Sequence, residues 1–163
     1  MKNKDIWQPK NGYVSIHIID EDNNIKDTLI DEDKNLFVNT SIDIMTGCLI
    51  GDNNKKIDTL SIGDGGVIDS IIQTPTINDT ALYNETYRKV GYDSVITETI
   101  LEDKYIVFKF VIPKSEGNGA LGVTTITEMG LFSNDGTMFS RKTFSEKIKS
   151  IDKSLLIEWK LAF

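Results

Sequence analysis

Histidine and cysteine occur once each in these 163 residues, and proline three times. The single thiol, Cys48, excludes an internal disulfide framework. Its neighbours Met45, Leu49 and Ile50 predict a buried structural thiol rather than a nucleophile. His17 is the only imidazole available to a zinc site or a Ser–His–Asp triad. It lies in an alternating strand pattern, where a packed or half-exposed side chain is expected. No apolar run reaches the length of a membrane-crossing helix. The opening Met-Lys-Asn-Lys-Asp-Ile-Trp has charge but no apolar stretch, so it does not read as a signal peptide. The expectation is a soluble protein made in the cytoplasm, with no membrane partner. Basic residues are the minority, 18 against 25 acidic, for a net charge of −7. That balance disfavours a nucleic-acid partner, because phosphate backbones are held by positive surfaces.

The motifs that suggest chemistry fail on their details. Gly63-Asp-Gly-Gly66 lacks the Gly-Lys-Ser/Thr of a phosphate loop and reads as a strand-ending turn that needs positive φ. Asp20, Asp22, Asn24 and Asp31 imitate the spacing of a calcium loop. However, Ile25 replaces the required glycine, the last ligand is Asp in place of Glu, and strands flank the segment. A solvated hairpin turn is expected there. Ser150-Ile-Asp-Lys153 matches Ser-x-x-Lys, without the nearby Lys-Thr-Gly or the helix that would make it meaningful. No carboxylate sits among apolar neighbours that would raise its pKa. The reading is a non-enzyme without cofactor or metal.

What the chain does have is alternation. Residues 13–19 alternate as a half-buried strand, 20–24 form a polar turn and 25–30 return as its partner. A helix follows, capped by Thr40 or Ser41. Ile42, Met45 and Leu49 make its apolar face, with Ile44 and Cys48 beside it, and Gly51 ends it. Gly47 within it marks close packing against a strand. Residues 57–62 alternate as a strand. The connection 67–83, containing Pro75, is long for a compact domain and suggests an interaction arm. Segments 85–100 and 104–112 read as one long hairpin around Glu102-Asp103. In the second, Ile106, Phe108, Phe110 and Ile112 share a face. Gly-rich 116–119 is a flexible tip. Asn134-Asp135-Gly136 between β-rich runs is a strong hairpin signal. The closing strand places Leu155, Ile157, Trp159, Leu161 and Phe163 on one side, a core stripe. The fold class is therefore mainly β: an antiparallel β-sandwich or partly closed sheet, with one helix and an N-terminal hairpin. Residues 1–34 are expected as a hairpin or arm, and 35–163 as a single β-rich domain.

Four blocks in order carry a family resemblance. They are Asn35-Leu-Phe-Val-Asn-Thr40, Leu60-Ser-Ile-Gly-Asp-Gly-Gly66, Thr80-Ala-Leu-Tyr-Asn-Glu-Thr-Tyr-Arg88 and 126–141, the last followed by the closing Leu-Ile-Glu-Trp-Lys-Leu-Ala-Phe. Together they resemble the tail-collar fibre and small structural proteins of contractile phage tails. Thr40-Ser41 departs from the pattern where members often carry glycine. The resemblance implies a structural component of a contractile tail or tail-like bacteriocin, a virion or particle protein assembled in the bacterial host. It implies docking in several copies at the collar or baseplate, with sheath, tube or baseplate partners and three- or six-fold symmetry. The chain ends at Phe163 without a shaft, which favours an adaptor over a receptor-binding fibre. The alternative is a receptor- or carbohydrate-binding module, for which Tyr83, Tyr87 and Tyr92 are the candidate aromatics. Interface or structural candidates from the matched blocks are Gly63, Gly65, Asn84, Glu85, Arg88, Glu128, Gly130 and Phe132. Among these, Arg88 is expected to pair with Glu85 or Glu128 and lock the long connection onto the sheet.

Overall fold

A computed structural model describes residues 11–163. The reading of residues 1–7 lies outside the described residues. The chain runs β1 (Asn11–Ile19), β2 (Ile25–Lys34), β3 (Leu36–Phe37), α1 (Ser41–Leu49), β4 (Ile57–Gly63), β5 (Val67–Ile68), β6 (Ile71–Ile72) and β7 (Glu85–Val90). It continues through β8 (Ser94–Ile100), β9 (Asp103–Ile112), β10 (Val123–Ser133), β11 (Met138–Ser150) and β12 (Ser154–Ala162). One five-stranded antiparallel sheet has the order β2-β1-β12-β9-β8, and the second has the order β3-β11-β10-β4-β7. The strands β5 and β6 form a separate two-stranded hairpin. This is a mainly β, sandwich-like fold with one α-helix among the described residues.

Alternation decides the core. Val14 and Ile16 of β1 join Phe108, Phe110 and Ile112 of β9 and Leu155, Ile157, Trp159 and Leu161 of β12 on the inner face of the first sheet. Opposite them lie Leu60, Ile62, Ile126, Met129, Leu131, Phe139 and Phe144 of the second sheet. The C-terminal stripe is thus core, as its period of two demands. The β1–β2 hairpin belongs to the first sheet, since β1 pairs along its whole length with β12. Its polar turn is held by Asp20, which accepts from the N–H groups of Asp22 (3.0 Å) and Asn24 (2.8 Å) and pairs with Lys26 at 2.8 Å. Lys26 first, and the Asn24 N–H second, hold the Asp20 carboxyl down at about 2. The Asp-rich segment therefore satisfies itself.

Four local expectations are corrected. The 85–100 segment is not one strand. It breaks at Gly91, whose φ of +84° and N–H bond to the Asp58 carbonyl (2.8 Å) turn the chain from the second sheet into the first. A left-handed residue at that point is what glycine tolerates. The helix buries Ser41, Ile44 and Met45 but leaves Leu49 75 % exposed. Cys48 is exposed too, its thiol donating to the Lys55 carbonyl at 3.0 Å while desolvation holds its pKa above the ordinary value. The helix is only nine residues long and covers one end of the sandwich, so its last turn overhangs the core. Thr40 does precede the helix, but its hydroxyl donates to the Met138 carbonyl at 2.6 Å and caps no helical N–H. Gly47 packs against the Lys55 side chain, not a strand. Gly51, with φ +79°, ends the helix as expected.

Candidate functional site

The connection between β4 and β7 lies on the outer face of the second sheet, and buried charges clamp it there. Glu128 of β10 is 0 % exposed and Arg141 of β11 is 1 % exposed. They occupy the outer face because both strands alternate and a register shift between Ile126 and Glu128 moves β10 out of phase with its inner stripe. One Arg141 nitrogen donates to Glu128 Oε2, and the other donates to Asp79 Oδ2 at 2.7 Å. The guanidinium also lies 3.9 Å from the ring centre of Tyr83. Asp79 and Tyr83 both belong to the connection, so a single planar cation joins strand to arm in two places. Only Arg offers this forked geometry.

The other lone pairs of Glu128 are taken by backbone. Its Oε1 accepts from the N–H groups of Gly65 (3.2 Å) and Asn84 (2.8 Å), and its Oε2 accepts from that of Tyr83 (3.0 Å). Beside it, the Gly66 N–H donates to Thr127 Oγ1 at 2.8 Å. The glycines are required by space. A Cβ would lie 2.3 Å from the Asn84 carbonyl oxygen at Gly63, 2.6 Å from the Asn84 nitrogen at Gly65 and 2.2 Å from the Thr127 carbonyl oxygen at Gly66. None of the three has a positive φ, which corrects the expected reason for them. The Gly-rich segment does cradle an anion, but the anion is the protein's own carboxylate.

Asp79 completes the clasp. Burial works against its charge, but the Thr76 N–H and hydroxyl and the Arg141 guanidinium outweigh that and hold its pKa below the ordinary value. The sign follows. The contribution of Asp79 to stability is fully present above the ordinary carboxylate range and is lost as pH falls through its lowered value.

All eight sequence candidates fall on this face or its margin. Gly63 pairs with Glu128 across the β4–β10 ladder, and Gly130 pairs with Arg141 across β10–β11. Asn84 adds a side-chain bond from Nδ2 to Asp64 Oδ1 at 2.6 Å. Phe132 packs with Val38, Leu82 and Met138 in a small second core, so Leu82 of the arm is anchored by apolar contact as well. Arg88 meets Glu85, one of its two expected partners. It pairs with Glu85 through two bonds of 2.8 and 2.7 Å and lies 4.6 Å over the Phe132 ring, but Glu128 is held by Arg141. The Arg88–Glu85 pair is about one-third exposed. Arg88→Ala is accordingly expected to lower stability by less than about 1 kcal/mol, measured by urea denaturation. A loss several times larger would return the locking role to Arg88.

Sequence reasoning missed Arg141 and Asp79. One signal was present: the chain has only two arginines, Arg88 and Arg141, and otherwise uses lysine. In such a chain each Arg is a candidate for a forked or buried pair.

The far side of the arm is apolar and open. Val67-Ile68 and Ile71-Ile72 form a two-residue hairpin whose Asp69 and Ser70 both have positive φ (50° and 65°), as a primed turn requires. Ile68, Ile71, Ile72 and Ile77 are 51, 66, 47 and 52 % exposed. The candidate tyrosines do not share a platform. Tyr83 stacks on Arg141, the Tyr87 hydroxyl donates to Glu116, and Tyr92 lines an apolar recess of about 450 Å³ beside the helix, with Met45, Phe108, Phe139 and Phe163. Among the described residues no group of three or more His, Cys, Asp or Glu side chains could hold a metal ion. Likewise no helix there is long and apolar enough to cross a membrane. Comparison with protein-family models finds no match, and curated proteins and solved structures give no significant one.

Proposed function

We propose that this protein is a structural component of a contractile phage tail or phage-tail-like bacteriocin, docking in several copies on neighbouring tail subunits. The observation that carries the reading is the arm between β4 and β7. Its inner side is fixed by a buried Arg141 held between two carboxylates, while its outer side presents four exposed isoleucines within ten residues. A rigidly held apolar ridge is suited to packing against another protein, because its ordering cost is already met before association. Three of the four sequence blocks that resemble tail proteins contribute parts of the clasp: Gly63 to Gly66, Tyr83 and Asn84, and Glu128 with Arg141. The acidic net charge is compatible with a particle protein that contacts protein rather than DNA.

The test is antibody-gold labelling of purified particles from the producing strain. Label at the end carrying the fibres supports a baseplate position, and label at the opposite end supports a collar position. Unlabelled particles would sink the proposal. A companion variant, Ile71→Asp, is expected to keep its melting temperature within a few degrees while losing incorporation into particles at least tenfold. Undiminished incorporation would remove the arm from the interface.

A further inference from the structure

A buried amine lies at the other end of β11, and among the described residues no carboxylate is in contact with it. Lys149 pairs with Thr124 across the β10–β11 ladder and is 0 % exposed. Loop 113–122 closes over it, turning at Gly117 (φ +62°) and Gly122 (φ +74°), with Gly117 packed on Ile112 and Tyr87. Its ammonium nitrogen donates to Asn118 Oδ1 at 2.8 Å, and Asn118 Nδ2 donates in turn to the Lys114 carbonyl at 2.7 Å. The amide is thus held with its carbonyl toward the amine and its nitrogen turned away. Among the described residues, the buried Arg141 has two carboxylates in contact, whereas Lys149 has none. Two acids act on it from a distance: Glu116 in the loop, whose Oε2 accepts the Tyr87 hydroxyl, and Asp152 after β11, which accepts the Ser150 hydroxyl. Desolvation outweighs both and pushes the lysine pKa down, toward the neutral amine that acts as a nucleophile.

We propose that Lys149 and Asn118 join through an intramolecular amide bond that staples loop 113–122 to β11. The neutral Nζ adds to Asn118 Cγ, forming the N–C bond. The Cγ–Nδ2 bond then breaks, and Nδ2 leaves as ammonia with one proton taken from Nζ. The atoms balance without oxidant, reductant or co-reactant. Glu116, the acid of the same loop whose charge acts on Lys149, is assigned the role of carrying the proton from the attacking to the departing nitrogen. The driving force is physical: a buried, unpaired ammonium is costly, and conversion to a neutral amide removes the charge. Attack needs the amine held beside the carbonyl carbon, and Nζ is hydrogen-bonded at 2.8 Å to Oδ1, the oxygen on that carbon.

The experiment is the intact mass of the full chain under denaturing conditions, followed by tandem mass spectrometry of a digest. The expected result is a mass below that of the sequence by one ammonia, with a branched peptide joining residues 118 and 149. The unmodified sequence mass would overturn the proposal. Asn118-Gly119 can also lose ammonia by closing on its own backbone, so Lys149→Arg is the control. It should regain the full mass, and persistence of the loss there would assign it to that cyclisation and overturn the staple. Glu116→Gln should slow the ammonia loss at least tenfold, and an unchanged rate would overturn the proton-carrier role.

Discussion

Arg141→Ala is expected to cost about 3–5 kcal/mol of folding stability, the range for removing one partner of a buried ion pair. The loss comes less from the attraction given up than from what is left behind. Glu128, 0 % exposed, would keep its backbone donors but lose the cation it pairs with among the described residues, and Asp79 would keep its Thr76 donors but lose the guanidinium that helps offset its burial. Urea denaturation measures it directly. Arg141→Lys should recover only part of the loss, because one ammonium cannot reach Glu128 and Asp79 with separate nitrogens as the guanidinium does. A second readout separates clasp from global fold. In Arg141→Ala the arm should become protease-sensitive between β4 and β7 before the sandwich unfolds. A stability change under about 1 kcal/mol would mean that the pair is an ornament of the surface and not a clamp.

Trp159→Ala carries the other large effect, about 3–5 kcal/mol. Trp159 is 0 % exposed in β12, between its ladder partners Val14 of β1 and Phe108 of β9. Truncation there opens a cavity at the centre of the first sheet, and the flanking strands cannot close it without breaking their registers. Trp159→Phe is the informative comparison. The indole N–H has no hydrogen-bond partner among the described residues, so replacing it by a ring edge relieves an unsatisfied donor while giving up some volume. The phenylalanine variant should therefore lose well under half of what the alanine variant loses, read as the shift in denaturation midpoint. Equal losses would show that the polar atom, not the volume, governs the site.

Much of this architecture was legible because strands advertise themselves with a period of two. The stripe from Leu155 to Phe163, the stripe from Ile106 to Ile112 and the Asn134-Asp135-Gly136 turn each specify a local conformation and a buried face. The helix boundary at Gly51 was legible for the same local reason. Errors arose where a local pattern was continued past the point at which the sheets diverge. Segment 85–100 reads as unbroken strand, and only the hydrogen bond from Gly91 to Asp58 shows that it serves both sheets. Cys48 and Leu49 look buried by helical spacing, but a nine-residue helix at the mouth of a sandwich has nothing to pack its last turn against.

The candidate site divides the same way. The glycines, Asn84 and Glu128 stood out in sequence blocks, and they do converge. Which cation meets Glu128 was beyond a linear reading, since Arg88 and Arg141 are equally plausible partners until strand register is known. Gly130 pairs with Arg141 on one side of β10, whereas Arg88 lies two strands away on β7. Sequence by itself determined the element types, the inward stripes and the mainly antiparallel β class, because those follow from residue preferences and periodicity over a few neighbours. Tertiary structure alone decided the clasp of Asp79, Arg141 and Glu128 and the burial of Lys149 against Asn118. Those depend on register and on loops folding back across 62, 13 and 31 residues of chain, a separation no local rule can see.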